Sequence, residues 1–160
     1  MKAVQMIVAC LGRMAIGTLF FLIGVQHILD WHGSTQDFCN GLNRLLDQGR
    51  STPRLVAVVE TALPWVFPLM VIGTIFLLLG GFLVFFGCKT RFGAFLLFLV
   101  TISTMLTLHA FWMYPMPERD AQMYYFMNNL AIVGGILTLM AFGNGAAKPK
   151  SPSKSPKEAQ

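Results

Sequence analysis

Four long apolar runs, separated by short polar segments, dominate the hydropathy pattern of this 160-residue chain. The run at 63–86 contains no charged residue, and the run at 92–111 contains none apart from the titratable His109. A helix needs roughly 20 apolar residues to cross the hydrocarbon core of a bilayer, and a soluble helix of this length would show a polar face. The pattern therefore predicts an all-α, polytopic membrane protein, a four-transmembrane-helix bundle with spans at about 4–29, 63–86, 92–111 and 123–142.

The second span contains a predicted break. A helix that began at Pro53 and continued to Phe86 would be about 50 Å long at 1.5 Å per residue, which exceeds one straight crossing. Pro64 lies within this stretch and has no amide proton to donate to the carbonyl oxygen of Glu60. We therefore expect a break at Pro64 and a separate outer segment at about 54–63.

The connection at 30–62 is the longest between the spans, and part of it has apolar residues at helical spacing. These residues are Phe38, Leu42, Leu45 and Leu46. Their spacing predicts a short amphipathic helix that lies on the outer membrane surface or caps the bundle. The turn at 87–91 is short by comparison, so the second and third spans are expected to be antiparallel neighbours.

Aromatic and basic residues collect at opposite ends of the predicted spans. All tryptophans and tyrosines lie on one side, at Trp31, Trp65, Trp112, Tyr114, Tyr124 and Tyr125. Such amphipathic rings are typical of the boundary between hydrocarbon and headgroups. The other side carries more cations, with Lys2, Lys89, Arg91 and four lysines of the C-terminal tail against Arg44, Arg50, Arg54 and Arg119. The positive-inside rule then places both termini in the cytoplasm.

The composition supports a membrane protein and limits what the net charge means. Hydrophobic residues make up 55% of the chain, and its mean hydropathy is +0.62. Four lysines and one glutamate in the tail account for +3 of the formal net charge of +5, so the basic balance does not indicate a nucleic-acid partner. The tail at 146–160 is rich in Pro, Ser and Lys and is predicted to be disordered, after a membrane domain at 1–145. The bilayer is the expected environment, and self-association is left open.

Several motifs resemble those of the DoxX-like family of small four-helix bacterial membrane proteins. They are LGRMAIGTLFFLIGVQHI in the first span, and LLLGG followed by G-x-x-T-R-x-G-A across the second and third. The resemblance implies a multi-pass protein of the bacterial inner, or plasma, membrane. It also implies a membrane subunit or anchor of a quinone-linked electron-transfer or thiol-redox system, with an oxidoreductase as partner.

Five polar residues are predicted to lie at similar depth beneath the aromatic residues. They are His27, Glu60, His109, Asn128 and Asn129. Polar groups in a membrane usually face the bundle interior or water, so one hypothesis is an outward-facing pocket. Imidazole and carboxylate groups there could exchange protons with a quinol headgroup. The alternative is that these residues are interfacial and bond to one another, to water or to lipid headgroups.

An arginine and a cysteine are further candidates. Arg13 lies inside the first span, where a cation must reach the headgroups, bond to groups within the bundle, or bind an anionic ligand. Cys88 is adjacent to basic residues at the turn, a setting that favours thiolate exchange with a partner. No CxxC pair is present, and no metal site is predicted. Neither a haem between His27 and His109 nor copper at the methionines around His109 is expected.

The sequence is compatible with several classes of function. The chain has no Walker loop, dinucleotide fingerprint or nucleophile–base arrangement, so we do not expect an enzyme that acts alone. The alternatives to a redox subunit are a transporter-like bundle that binds a small molecule or lipid, and a non-catalytic assembly subunit.

Overall fold

The computed structural model describes residues 2–48 and 53–143, and these residues form six α-helices. Two 3-10 turns, Leu63–Trp65 and Phe111–Met113, interrupt the helical path. The predicted C-terminal tail lies outside the described residues. The helices are α1 (Lys2–Leu29), α2 (Trp31–Gln48), α3 (Pro53–Ala62), α4 (Val66–Phe86), α5 (Thr90–Leu108) and α6 (Glu118–Phe142).

The predicted all-α fold with four membrane-length helices is confirmed. The segments long and apolar enough to cross a bilayer are Val4–Leu29, Pro53–Phe86, Thr90–Met113 and Glu118–Phe142. Within the described ranges no strand is present. Large apolar side chains cover the outside of these helices, and Ile7 and Phe86 are each about 60% exposed. Such a surface is suited to lipid and not to water.

The membrane helices pack in the order α1, α4, α5 and α6, each along the next, whereas α1 and α6 touch only sparsely. Close approach between α1 and α4 depends on glycine. A Cβ added to Gly17 would lie 2.7 Å from the backbone nitrogen of Phe85, and one added to Gly81 would lie 2.8 Å from that of Phe21. The two backbones therefore touch directly, which is the packing typical of small residues in membrane helices.

Two apolar clusters hold the fold together. The central cluster joins all four membrane helices through Phe20, Leu77, Val84, Ala94, Leu97 and Ile136. A second cluster lies at one end and joins α2 and α3 to the start of α4 through Leu42, Val59, Val66 and Met70. The amphipathic helix α2 thus packs its apolar face inward and covers one end of the bundle.

The helix boundaries follow from local chemistry. The 3-10 turn at Leu63–Trp65 separates α3 from α4 at Pro64, where the missing amide proton predicts a break. At the other end of α4, Gly87 has a left-handed φ of 72°, and its amide donates to the carbonyl oxygen of Val84. This glycine cap turns the chain into α5. Helix α6 begins five residues before the predicted span, because Glu118 and Asp120 in its first turn favour the positive end of the helix dipole.

We call the end of the bundle that carries Trp31, Trp65 and Trp112 the aromatic end. The opposite end carries Lys2 and the turn at 87–89, and we call it the basic end. Placement of the basic end in the cytoplasm stays a prediction from the positive-inside rule.

Candidate binding cleft at the aromatic end

Helix α2 forms one wall of a cleft because it lies directly against α5. A Cβ added to Gly41 would lie 2.8 Å from the carbonyl oxygen of Thr107, so no larger residue fits this contact without movement. The apolar face of α2 enters the end cluster. Its polar residues Asp37, Asn40 and Arg44 recur at spacings of three and four, so they lie on one face. That face borders two adjoining cavities.

The first cavity has a volume of about 250 Å³ and lies between α2 and the start of α6. Most of its lining residues are polar, and they are Asp37, Asn40, Gly41, Arg44, Leu108, His109, Tyr114 and Gln122.

The second cavity has a volume of about 210 Å³ and extends toward α1. Its lining is Ile23, Gln26, His27, Ser34, Asp37, Phe38, Met70, Thr104 and Leu108. Asp37 and Leu108 line both cavities, so the two are neighbours around a shared wall. We call the pair the polar cleft.

A cation and an aromatic ring form one side of the polar cleft. The guanidinium carbon of Arg44 lies 4.6 Å from the centre of the Tyr114 ring, which is a cation–π contact. The Tyr114 hydroxyl donates a hydrogen bond of 2.8 Å to the carbonyl oxygen of Leu108. This bond satisfies one carbonyl that the end of α5 leaves without a helical partner. Arg44 is therefore held against a ring that is itself fixed to α5.

The two predicted histidines both line the polar cleft, in different cavities. His109 follows the last residue of α5, and its Nδ1 lies 2.9 Å from Oε1 of Gln122 on α6. His27 is half-buried, and its Nδ1 is a buried atom with no hydrogen-bond partner among the described residues. Buried polar atoms are rarely left unpaired, so Nδ1 of His27 is a candidate contact for a polar ligand.

The other three predicted pocket residues lie outside the polar cleft. Glu60 is exposed on α3, because the neighbouring Val59 takes the buried face of that helix. Asn128 is exposed on α6, and the side chain of Asn129 donates to the carbonyl oxygen of Tyr125 on its own helix. Of the expected pocket lined by His27, Glu60, His109 and Asn128 or Asn129, His27 and His109 line the polar cleft, and the other residues lie outside its lining.

The polar cleft also contains residues that the sequence interpretation missed. Asp37, Asn40 and Arg44 are the polar face of an amphipathic helix whose apolar face was recognised. Their regular spacing was the available signal, since residues three or four apart share a helix face. Gln122 carried no signal, because its role depends on the approach of α6 to the end of α5.

The remaining candidates lie apart from the polar cleft. Arg13 is half-buried in α1, well away from Glu60, and its Nε is buried with no hydrogen-bond partner in the described part of the chain. Cys88 is an exposed free thiol at the turn after α4. In residues 2–48 and 53–143 no three His, Cys, Asp or Glu side chains are grouped as metal ligands would be.

Comparison with known proteins identifies a different family from the one that the motifs suggested. The SURF4 family matches residues 54–150, which include α3 from its second residue and the whole of α4, α5 and α6. A yeast protein, the ER-derived vesicles protein ERV29 of Saccharomyces cerevisiae, is 37% identical over 59 residues. That stretch is 37% of this chain and only 19% of the yeast protein. No solved structure matches the chain.

These matches show that the resemblance to the DoxX-like family is wrong. The expectations of a redox membrane subunit, of an oxidoreductase partner and of a bacterial inner membrane rested on that resemblance, and they are withdrawn with it. The misleading motifs were glycines and apolar runs. Gly17, Gly80 and Gly81 serve close helix packing here, and any compact membrane bundle needs such residues.

Proposed function

Because this chain belongs to the SURF4 family, we propose that it is a multi-pass receptor of the endoplasmic reticulum and the vesicles derived from it. Its polar cleft would bind an extended segment of a protein that enters those vesicles. The location is supported by the name of the yeast relative, an ER-derived vesicles protein.

The shared wall of the polar cleft is the observation that carries the proposal. Each cavity alone is smaller than the roughly 300–1,000 Å³ typical of small-molecule sites. A ligand that spans the two residues common to both linings, Asp37 and Leu108, would enter both cavities and would be elongated. An extended peptide has this shape, and it presents side chains alternately to two sides.

The chemistry of the lining suits a peptide of mixed character. Phe38 and Met70 offer an apolar surface for one side chain in the cavity that also contains His27. In the other cavity, Asn40 and Gln122 carry amides that can donate to or accept from a peptide backbone. Asp37 lines both cavities, and its carboxylate favours a basic group on the ligand. We therefore propose a segment with one basic and one apolar side chain.

The predicted orientation agrees with this function. The positive-inside rule places the basic end in the cytoplasm, so the aromatic end would face the lumen of the endoplasmic reticulum. A protein that enters a vesicle as soluble contents lies on that side. The polar cleft would then be open to the compartment that holds its ligand.

Site-specific photo-crosslinking tests the proposal. A benzophenone amino acid replaces Asn40 in the polar cleft of the full chain, reconstituted in lipid nanodiscs. A matched variant carries it at Asn128, which is exposed on α6 outside the polar cleft. The probe is a synthetic library of twelve-residue peptides, with and without a basic residue beside an apolar one.

We expect crosslinks from position 40 that are enriched in peptides with both residue types. Equal crosslinking from positions 40 and 128 would overturn the proposal, since it would show adhesion to the surface alone. Crosslinking that ignores peptide composition would also overturn it.

A further inference from the structure

The basic end of the bundle carries positive charge that no nearby acid offsets. Every acidic residue in the described ranges lies toward the aromatic end, at Asp30, Asp37, Asp47, Glu60, Glu118 and Asp120. Arg13, Lys89 and Arg91 lie toward the basic end. Cations in or beside a membrane normally pair with an anion or reach the headgroups, so the partner of these three needs an explanation.

The helix register brings two of these cations to similar levels. Along the antiparallel α1–α4 pair, Gly24 meets Leu78, Phe21 meets Gly81, and Gly17 meets Phe85. Each step toward the N-terminus of α1 is matched by an equal step along α4. Arg13 is one turn further on, beyond the last residue of α4, so it lies near the level of the turn at 87–89 that carries Lys89.

Arg13 also points toward the packed side of its helix. It lies four, seven and eleven residues before Gly17, Phe20 and Gly24, and these spacings share one helix face. That face packs against α4, which explains why Nε of Arg13 is buried although the side chain as a whole is half-exposed. The guanidinium therefore lies at the edge of the bundle with unused hydrogen-bond donors.

The third cation already has a partner within the bundle. Nη2 of Arg91 donates a hydrogen bond of 3.1 Å to the carbonyl oxygen of Ala141, in the last turn of α6. A cation in this position favours the negative end of the helix dipole. Arg91 is thus a link between α5 and α6, which leaves Arg13 and Lys89 to bind an anion.

An apolar slot opens between α1 and α4 toward the basic end. It has a volume of about 470 Å³ and is lined by Thr18, Phe21, Gly81, Phe82, Phe85 and Phe86. Thr18 is five residues beyond Arg13, which is about 7.5 Å along the helix axis and about 140° around it, so the slot lies at the flank of the face that carries Arg13. The slot exists because glycine at position 81 lets the helix backbones touch while four phenylalanine rings extend around the contact.

We propose that the basic end holds one anionic phospholipid, with its phosphate on Arg13 and Lys89 and one acyl chain in the apolar slot. Charge complementarity selects this occupant. The acyl chain of a neutral lipid without phosphate would fill the slot but leave Arg13 unpaired. A phosphate would pair with Arg13, because a guanidinium binds phosphate oxygens through two parallel hydrogen bonds. Basic pockets between membrane helices commonly bind anionic headgroups in this way. The site is independent of the polar cleft, since it lies at the opposite end of the bundle.

Native mass spectrometry of the full chain tests the site. The delipidated protein in mild detergent is offered dioleoyl phosphatidylserine or dioleoyl phosphatidylcholine at equal concentration. We expect the wild type to retain one phosphatidylserine molecule. We expect Arg13→Gln to lower the preference for phosphatidylserine over phosphatidylcholine about tenfold, because both lipids carry a phosphate and only phosphatidylserine has a net negative charge for the cations to pair with. The matched control Arg119→Gln removes a cation at the aromatic end and should leave the preference unchanged.

Two further variants keep the test decisive if Arg13→Gln fails to fold. Lys89→Asn removes the charge on the exposed turn, and asparagine tolerates the left-handed backbone found there, with φ of 49°. Thr18→Trp fills the slot and should lower retention of both lipids. An undiminished preference in Lys89→Asn and Arg13→Gln would overturn the proposal. Displacement of the lipid by glycerol phosphate at equal concentration would also overturn the proposal, since the acyl chain would then contribute nothing to binding. If the protein formed a dimer, and if Thr18→Trp alone dissociated it while lipid retention stayed intact, the slot would be assigned to a second copy of the protein instead.

Discussion

His109 and Gln122 join the end of α5 to the start of α6 through a single hydrogen bond. Nδ1 of the imidazole lies 2.9 Å from Oε1 of the amide, and a carbonyl oxygen can only accept. Nδ1 of His109 is therefore the donor in this bond. Because both residues line the polar cleft, this bond fixes the shape of one cavity and the hydrogen-bonding character of its histidine.

Loss of this bond should weaken peptide binding. Gln122→Leu leaves Nδ1 of His109 without its acceptor and frees the ring to rotate. One hydrogen bond contributes about 1 kcal/mol, so we expect a roughly fivefold rise in the Kd of a peptide selected by crosslinking. Fluorescence anisotropy on the reconstituted protein measures the change. Gln36→Leu, at an exposed position of α2 outside the cleft lining, is the matched control, and an equal rise there would contradict the assignment.

Tyr114 should contribute to stability through two separable contacts. Tyr114→Phe removes the hydrogen bond to Leu108 and keeps the ring under Arg44, for a loss of about 1 kcal/mol. Tyr114→Leu also removes the ring and should cost roughly 0.5–1 kcal/mol more. Thermal unfolding in detergent, followed by circular dichroism, gives both values. Tyr124→Phe is the control, since Tyr124 is 73% exposed. Equal Tm values for Tyr114→Phe and Tyr114→Leu would show that the cation–π contact contributes nothing.

The α1–α4 contact should be intolerant of a single methyl group. Gly17→Ala places a Cβ 2.7 Å from a backbone atom of Phe85, which cannot move aside as a flexible side chain would. Overpacking of this kind costs about 1–3 kcal/mol, so the Tm should fall. The matched control is Gly12→Ala in the same helix, where an added Cβ meets nothing within 4 Å. Alanine favours helix over glycine by about 1 kcal/mol, so the control should be neutral or slightly stabilised. A Tm that falls equally in both variants would refute the packing argument.

The orientation in the membrane can be measured with the native cysteines. Cys88 lies exposed at the basic end, and Cys39 lies on α2 at the aromatic end. In sealed microsomes, a membrane-impermeant maleimide should label Cys88 at once and Cys39 only after detergent is added. Single-cysteine variants, with the other two cysteines changed to serine, separate the signals. The opposite order of labelling would place the polar cleft in the cytoplasm.

The membrane helices were predictable because hydrocarbon imposes one requirement on every span. A helix must be long and apolar and must form all its backbone hydrogen bonds within itself, and these requirements are visible residue by residue. The break at Pro64 was predictable for a similar reason, since one missing amide proton acts locally. The start of α6 was less well predicted, because four of its first five residues are polar and lie beyond the apolar run.

The polar cleft was only partly predictable, since it depends on how helices rotate against one another. His27 and His109 lie at the ends of their helices, where depth alone brings them near α2. Glu60 has the right depth but the wrong face, because one residue corresponds to a rotation of about 100° at 3.6 residues per turn. The contribution of Asp37 was available in the spacing of α2, whereas the contact between His109 and Gln122 required knowledge of how α6 packs.

Peptide affinity in an Asp37→Asn variant tests the central claim most directly. Asp37 borders both cavities, and its carboxylate should pair with the basic group of the ligand. The measurement is the Kd of the best crosslinked peptide for the reconstituted wild type, for Asp37→Asn and for Asp120→Asn, an exposed acid on α6 outside the polar cleft. We expect about a tenfold weaker Kd for Asp37→Asn, since hydrogen bonds between charged groups are the strong ones, and no change for Asp120→Asn. Equal affinities for all three proteins would contradict the assignment of the polar cleft as the binding site.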